Sequence, residues 1–292
     1  MSDFRLKVFQ SVAKNLSFTK ASQELFVSQP AITKHIQELE ATYQTRLFDR
    51  QGSKISLTES GRLLLEHCER ILEDYKRLEY EMHLLHNEYI GELKLGASTT
   101  IAQYVLPPLL GSFIGKFPQV NLSLLNGNSR EIEAALQEHR IDLGLVEGVF
   151  RLPNLKYTTF LEDELVAVVH SKSRLQLPEE ITPQDLPAIP LVLRERGSGT
   201  LDVIERSLQK HGVKLSSLHV LMYLGSTESI KLFLENSDCM GIVSIRSICK
   251  ELAAGTFRVV EIKDMPMLRD FCFVQLQGQE GGLSQVYELY VY

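Results

Sequence analysis

The chain has 292 residues, of which 44% are hydrophobic and 23% charged, so it is long enough for two or three globular domains. Its formal net charge of −6 excludes a uniformly basic surface. No apolar run approaches the roughly 20 residues of a membrane span, and the N-terminus MSDFRLKVFQ lacks the hydrophobic core of a signal peptide. We therefore expect a cytoplasmic protein without a membrane partner.

The charge is distributed unevenly along the chain. Residues 1–58 carry eight Lys/Arg and five Asp/Glu, whereas residues 59–90 carry four and eight. Because local charge governs contact with a polyanion, the N-terminal segment is the part suited to nucleic acid. The four cysteines form no CxxC pair, and we expect reduced, buried thiols at Cys68, Cys239, Cys249 and Cys272.

The N-terminal segment predicts three helices and a small hairpin. Apolar residues recur at helical spacing over residues 4–16, and the stretch FTKASQELFVSQPAITKHIQELE contains two more helices joined tightly at FVSQP. Ser17 and Ser28 can cap these two helices, and Pro30 suits a first helical turn. RQGSK predicts a turn and KISLT a short strand. Residues 1–58 therefore predict a winged helix-turn-helix domain.

The second helix of a helix-turn-helix motif places residues near its N-terminus in the DNA major groove. Glutamine can pair with adenine and lysine with guanine, while basic residues on the hairpin can meet phosphates. A polar helix face can also be merely solvated, but the basic segment and the hairpin favour DNA. The predicted DNA-binding residues are Ser28, Gln29, Pro30, Thr33, Lys34, Gln37, Arg50 and Lys54.

A heptad repeat of apolar residues follows between residues 62 and 90, with no glycine or proline inside it. A narrow apolar stripe of this kind favours a partner helix, so residues 59–90 predict a coiled-coil linker helix and a homodimer. A single amphipathic helix lying on a domain is the alternative. The predicted dimerisation residues are Leu64, Ile71, Tyr75, Leu78, Met82 and Leu85.

From residue 91 onward strands alternate with helices. The pattern begins as βαβαβ, which predicts a parallel α/β sheet. Later strands, including the return strand FCFVQL, indicate two α/β lobes within residues 91–292. We expect the first lobe at residues 91–161 and 266–292, and the second at residues 162–265.

The run FTKASQELFVSQPAITKHIQELE, followed by TRLFDR and LTESG, resembles the signature of LysR-type transcriptional regulators. LGASTTIAQYVLPPLLGSFIGKFP resembles their effector domain, and Ser22 departs from the alanine usual in the family. The resemblance implies a homodimer or a dimer of dimers on a double-stranded DNA operator with dyad symmetry, and contact with RNA polymerase. It also implies a two-lobed domain, similar to periplasmic binding proteins, that closes around a small molecule.

The string RERGSGT resembles a subset of the family that includes regulators of carbon fixation and of sulfur assimilation. The effectors of that subset tend to be small anions, so we expect an anionic effector and neither a cofactor nor a metal. Ligands of open α/β sheets bind beyond the carboxyl ends of strands, and helix N-termini attract anions. The predicted effector-binding residues are Ser98, Thr99, Thr100, Asn128, Ser198, Gly199, Thr200 and Thr227.

Helix capping explains each of these hydroxyl groups singly, but loops from both lobes together favour a shared cleft. An enzyme is not expected, because the sequence has no HExxH, GxSxG or Walker pattern. Two rivals are a solute-binding protein that delivers ligand to a transporter and an architectural DNA protein that senses no metabolite. The missing signal sequence and the basic helix-turn-helix count against the first, and a DNA footprint that changes when ligand is added discriminates against the second.

Overall fold

The computed structural model describes residues 4–51, 54–84, 89–278 and 282–291. The chain divides into two compact units, Met1–Glu88 and Tyr89–Tyr292. Within the described ranges, no helix has both the length and the apolar composition needed to cross a membrane.

The N-terminal unit is a winged helix-turn-helix followed by a long helix, as the sequence predicts. Phe9, Ile32 and Leu47 are fully buried at its centre, and the two strands pair antiparallel. Its elements are α1 (Phe4–Asn15), α2 (Phe18–Glu24), α3 (Gln29–Tyr43), β1 (Phe48–Gln51), β2 (Lys54–Leu57) and α4 (Glu59–Leu84).

The two predicted helix caps differ. The Ser17 hydroxyl accepts a hydrogen bond from the Lys20 N–H at 3.2 Å and so caps α2. Ser28 occupies the N-cap position of α3, but its side chain makes no capping hydrogen bond, so that prediction is wrong. The reason lies in the first turn, where Pro30 has no N–H to donate and the Ala31 N–H bonds to the Ser28 carbonyl instead.

The first turns of α4 pack against the unit's own core. Cys68 is fully buried and its thiol donates to the Leu6 carbonyl at 3.3 Å. Leu72 is buried beside it, and Leu64 packs against the same cluster. Leu64, one of the predicted dimerisation residues, therefore has a contact within its own unit.

The later part of the apolar stripe on α4 is largely exposed to solvent. Ile71, Leu78 and Met82 are exposed and Tyr75 is half-buried, while Leu85 lies outside the described residues. Exposed apolar residues repeating along one long helix are typical of a helix that pairs with another.

The C-terminal unit is built on one mixed sheet with helices on its faces. A π-helical turn, Ile101–Val105, precedes α5. Its elements are β3 (Gly91–Ser98), α5 (Leu106–Lys116), β4 (Val120–Gly127), α6 (Ser129–Gln137), β5 (Leu143–Glu147), β6 (Leu155–His170), β7 (Glu180–Ile181), β8 (Leu191–Arg194), α7 (Gly199–Lys210), β9 (Val220–Leu224), α8 (Thr227–Glu235), β10 (Met240–Ser244), α9 (Cys249–Ala253), β11 (Phe257–Ile262), β12 (Met267–Leu276) and α10 (Gly282–Val291).

The strand order β4-β3-β5-β12-β6-β10-β8-β9 divides this unit into two lobes. In the first lobe β4, β3 and β5 are parallel, and in the second lobe β10, β8 and β9 are parallel. The strands β12 and β6 lie between these two groups and join the lobes. They pair antiparallel, with Met267 opposite Leu165 at one end and Leu276 opposite Leu155 at the other. The predicted two-lobed α/β architecture is thus confirmed.

None of the four cysteines, all of them among the described residues, forms a disulfide. Burial raises the pKa of the Cys239 and Cys272 thiols, which makes both less reactive. Cys249 is exposed, contrary to the expectation of four buried thiols, because it begins the short surface helix α9.

Candidate functional site

The helix α3 buries one face and exposes the other. Ile32, Ile36 and Leu39 are in the core of the N-terminal unit. Most of the predicted DNA-binding residues on this helix are on the opposite side, with Thr33 half-buried and with Ser28, Gln29, Pro30, Lys34 and Gln37 exposed.

Hydrogen bonds fix part of this polar face. The Thr19 hydroxyl of α2 donates to the Gln29 side-chain oxygen at 3.4 Å, and the Thr33 hydroxyl donates to the Gln29 carbonyl at 3.1 Å. The side chains of Arg50 and Lys54, on the hairpin, lie outside the described residues. Gln29, Pro30 and Lys34 are thus exposed together near the N-terminal end of α3.

The second candidate site lies in the C-terminal unit, where loops of the two lobes meet. Thr99 follows β3 in the first lobe, and its hydroxyl donates to the Gly127 carbonyl at the end of β4. Arg194 ends β8 in the second lobe, and its Nη2 donates to the Thr99 hydroxyl at 3.2 Å. One guanidinium therefore joins the two lobes across their junction, which is called the cleft below.

Arg194 is only 1% exposed, yet its hydrogen bonding is incomplete. Its Nε and Nη2 donate to the Glu195 carboxylate at 2.8 and 3.0 Å. Its Nη1 has no partner among the described residues, and the same holds for two other buried atoms of this unit, the Thr100 hydroxyl and the Gln103 side-chain oxygen. A buried polar group without a partner costs free energy, so these atoms are suited to a ligand.

A second buried arginine, Arg269 on β12, ties the two lobes together. Its Nε and Nη2 both lie 2.7 Å from the Asp163 carboxylate, and its Nη1 donates to the Thr200 hydroxyl at 2.8 Å. The same Nη1 lies 3.5 Å from the Glu147 carboxylate, to which the Ser98 hydroxyl also donates. Ser98 and Thr200 are therefore occupied within this network.

The remaining predicted effector residues serve the starts of helices. Asn128 and Glu131 form a reciprocal capping box at α6, and the Ser198 hydroxyl accepts from the Leu201 N–H at 3.2 Å. Thr227 is buried in the first turn of α8, behind the N-cap residue Ser226.

Gly199 allows α7 to approach the first lobe closely. A Cβ atom at this position would lie 1.9 Å from the Glu147 carbonyl oxygen. The structure thus places Thr99 beside Arg194, with Thr100 the next residue in the chain, while the other predicted loops contribute caps and close packing.

A further contact crosses the cleft at the π-helical turn. The Tyr104 hydroxyl donates to the Glu228 carboxylate of α8, and Lys231 Nζ lies 2.8 Å from the same carboxylate. Burial, together with Glu228, raises the pKa of Tyr104 above its ordinary value. Burial alone would raise the pKa of Glu228, but hydrogen bonds from Lys231 and Tyr104 outweigh it and lower that pKa.

Sequence reasoning missed the residues that organise the cleft, namely Gln103, Tyr104, Glu147, Asp163, Arg194 and Arg269. Arg194 begins the string RERGSGT, so its position before a predicted loop was an available signal. Arg269 lies inside a strand, where no local pattern marks it as part of a site.

The comparisons with known proteins cover both units. A family described as "Bacterial regulatory helix-turn-helix protein, lysR family" matches residues 4–62, and one described as "LysR substrate binding domain" matches residues 86–283. The chain belongs to the LysR family of transcriptional regulators. It is therefore a DNA-binding regulator with an effector-binding domain and not an enzyme, which also decides against the solute-binding and architectural alternatives.

Similar proteins agree with the subset that the sequence indicated. A probable RuBisCO transcriptional regulator of Cyanidioschyzon merolae is 32% identical over 91% of this chain and 88% of its own. The regulator CysL of Bacillus subtilis is 29% identical over 92% of this chain and 89% of its own. The solved regulatory domain of Synechocystis CcmR, in complex with 2-PG, is 28% identical with a TM-score of 0.62, over 69% of this chain and 95% of that one.

Proposed function

We propose that this LysR-family regulator binds a small anion in the cleft between its two lobes, beside Arg194, and that the anion changes its affinity for an operator. The single observation that carries this proposal is the buried Arg194 guanidinium, whose Nη1 has no partner within the described part of the chain. A guanidinium in a desolvated cleft favours carboxylate, phosphate or sulfate oxygens, because charge-assisted hydrogen bonds are the strong ones.

Hydroxyl groups near Arg194 complete the proposed anion site. Thr99 is held by Arg194 itself, and the buried Thr100 hydroxyl is without a partner among the described residues. Ser98, Asn128, Ser198, Gly199, Thr200 and Thr227 support the site by holding the loops and helix starts around it. The 2-PG complex of the related CcmR domain supports a small-molecule ligand for a domain of this fold.

For the operator, we propose that α3 lies in the major groove. Gln29, Pro30, Thr33, Lys34 and Gln37 then meet base edges, with Ser28 at the helix start. Arg50 and Lys54 on the hairpin supply phosphate contacts in this proposal, which contribute affinity without sequence information.

We propose the domain boundaries 1–58, 59–90 and 91–292 and a homodimer formed through α4. The exposed Ile71, Leu78 and Met82 support pairing of that helix. Pairing of two dimers, and contact with RNA polymerase, are carried over from the resemblance.

The test of the anion site is isothermal titration of the full chain with sulfate, sulfite, phosphate and small carboxylates. One of these anions is expected to bind, and Arg194→Gln is expected to weaken its binding at least about tenfold, which is the value of one charge-assisted hydrogen bond. Arg206→Gln is the matched control, because Arg206 is an exposed arginine of α7 in the same lobe. Binding of neutral or cationic ligands alone would contradict the proposal.

A further inference from the structure

The turn between α2 and α3 contains a phenylalanine in an unusual backbone conformation. The Val27 N–H bonds to the Ser22 carbonyl at 3.1 Å, which closes the end of α2, and Phe26 between them has a φ of 54°. This left-handed position after a helix is usually glycine or asparagine, because a Cβ atom is strained there. The backbone conformation of the turn therefore does not favour an aromatic residue at this position.

Packing does not explain Phe26 either. Its side chain is 94% exposed, and the next most exposed large hydrophobic side chain in the described ranges is Phe150, at 69%. Its neighbours Leu25 and Val27 pack against the core of the N-terminal unit, whereas Phe26 does not belong to that cluster. A strained and exposed aromatic residue that the fold does not use points to function.

The position of Phe26 links it to the helix proposed to read DNA. It lies three residues before Gln29, so the two Cα atoms are within about 11 Å of each other. Gln29 and Pro30 are exposed as well. Phe26 is therefore an exposed apolar residue close, along the chain, to the N-terminal end of α3.

We propose that Phe26 contacts the apolar surface of the bound duplex, specifically a thymine methyl group at the edge of the segment read by α3. The methyl group is the main apolar feature of the major groove, and phenylalanine is among the side chains that contact it. This inference rests on the proposed placement of α3 in the major groove. It adds a specificity-determining residue that the polar face alone does not supply.

The experiment uses the full chain and a duplex selected from a random pool by the unaltered protein. Phe26→Asn keeps the left-handed backbone, because asparagine tolerates it better than phenylalanine. We expect this variant to bind the duplex about tenfold more weakly, the effect of burying one large apolar side chain. Its thermal midpoint is expected to stay unchanged or to rise.

Gln44→Asn is the matched control. Gln44 is exposed and also left-handed, with a φ of 50°, but it follows the opposite end of α3. We expect it to leave DNA affinity unchanged. Phe26→Leu, which keeps an apolar side chain, is expected to recover part of the affinity.

Two further measurements identify the contact. Replacing thymines singly by deoxyuridine removes the methyl group, and we expect one replacement to weaken binding by the unaltered protein but not by Phe26→Asn. The salt dependence of affinity is expected to be the same for both proteins, because no phosphate contact is lost.

Unchanged affinity of Phe26→Asn, with Lys34→Ala binding more weakly, would overturn this inference and leave the proposed function intact. Unchanged affinity of both variants would contradict the placement of α3 as well. A changed sedimentation coefficient of Phe26→Asn at unchanged affinity would assign Phe26 to a protein contact, which also overturns the inference.

Discussion

Hydroxyl groups that look alike in the sequence have different roles in the cleft. Thr200 accepts a hydrogen bond from the buried Arg269, whereas the buried Thr100 hydroxyl has no partner among the described residues. The sequence identifies the loops, because they follow strands and precede helices. It does not identify which hydroxyl is occupied, because the partners come from strands that are distant along the chain.

This difference predicts opposite effects of the same substitution at Thr100 and Thr200. Thr200→Val removes the hydroxyl that accepts from the buried Arg269 Nη1 at 2.8 Å and leaves that nitrogen only the Glu147 carboxylate at 3.5 Å, so we expect a loss of about 1–3 kcal/mol in the free energy of unfolding. Thr100→Val removes no such contact and is expected to leave stability nearly unchanged while weakening anion binding. Chemical denaturation and titration calorimetry of both variants check the pair, and equal stability losses would contradict it.

Close packing at Gly199 makes a second prediction at the scale of one residue. Gly199→Ala places a methyl group against the Glu147 carbonyl, so the start of α7 must move, at a cost of about 1–3 kcal/mol. Gly225→Ala is the matched control, because a Cβ atom there meets nothing within 4 Å. Thermal denaturation compares the two, and similar midpoints for both variants would show that the lobes are not in close contact at Gly199.

At the scale of elements, the π-helical turn presents Tyr104 to α8 across the cleft. Such turns are rare and occur frequently at functional sites. Glu228 accepts the hydrogen bond from the Tyr104 hydroxyl and is held in place by Lys231. The Lys231 Nζ also lies 2.6 Å from the Glu251 carboxylate. This contact therefore stabilises one relative position of the two lobes.

Tyr104→Phe tests this cross-lobe contact through pH. The lowered pKa of Glu228 means that its stabilising effect is complete above the ordinary glutamate pKa of about 4.3 and is lost as the pH falls through the lowered value. We expect the free energy of unfolding of the variant to be about 0.5–1.5 kcal/mol lower at pH 7. The difference should persist at pH 5 and shrink below about pH 4, as measured by denaturation.

Two carboxylates on the helices α6 and α7 give the stability a pH dependence opposite to that from Glu228. Burial raises the pKa of Glu133 on α6 and of Asp202 on α7, and Asp202 adds to the shift at Glu133. A raised carboxyl pKa lowers stability as the pH rises from the ordinary value, near 4, through the raised one.

Asp202→Asn is accordingly expected to increase the free energy of unfolding at pH 7 by less than about 1 kcal/mol, and not at pH 4. Denaturation at the two pH values measures this change. A variant that is stabilised equally at both would indicate a cause other than charge.

Elements with strong periodicity were predictable from the sequence, and elements defined by distant pairing were not. The βαβαβ pattern expected from residue 91 is present as β3, α5, β4, α6 and β5. β6 runs from Leu155 to His170, because pairing with the distant strand β12 extends along it. Likewise, Leu64 fits the heptad repeat by spacing, but it packs against the core of its own unit.

For the whole molecule, an anion can change operator affinity only through its difference in affinity for two conformational states. The contacts of Arg194, Arg269 and Tyr104 each join the two lobes, so we expect them to differ between such states. We therefore expect the position of the lobes to affect DNA binding by the N-terminal unit.

The most direct test is the affinity of the full chain for a selected operator duplex, with and without the bound anion. Sodium chloride replaces the anion at equal ionic strength, because salt alone weakens DNA binding. We predict at least about a fivefold change in operator affinity for the unaltered protein, the lower range of allosteric coupling. For Arg194→Gln we predict no change on adding the anion, measured against the affinity of that variant without it. An operator affinity that is indifferent to every anion tested, or that shifts equally in Arg194→Gln, would contradict the proposed anion site.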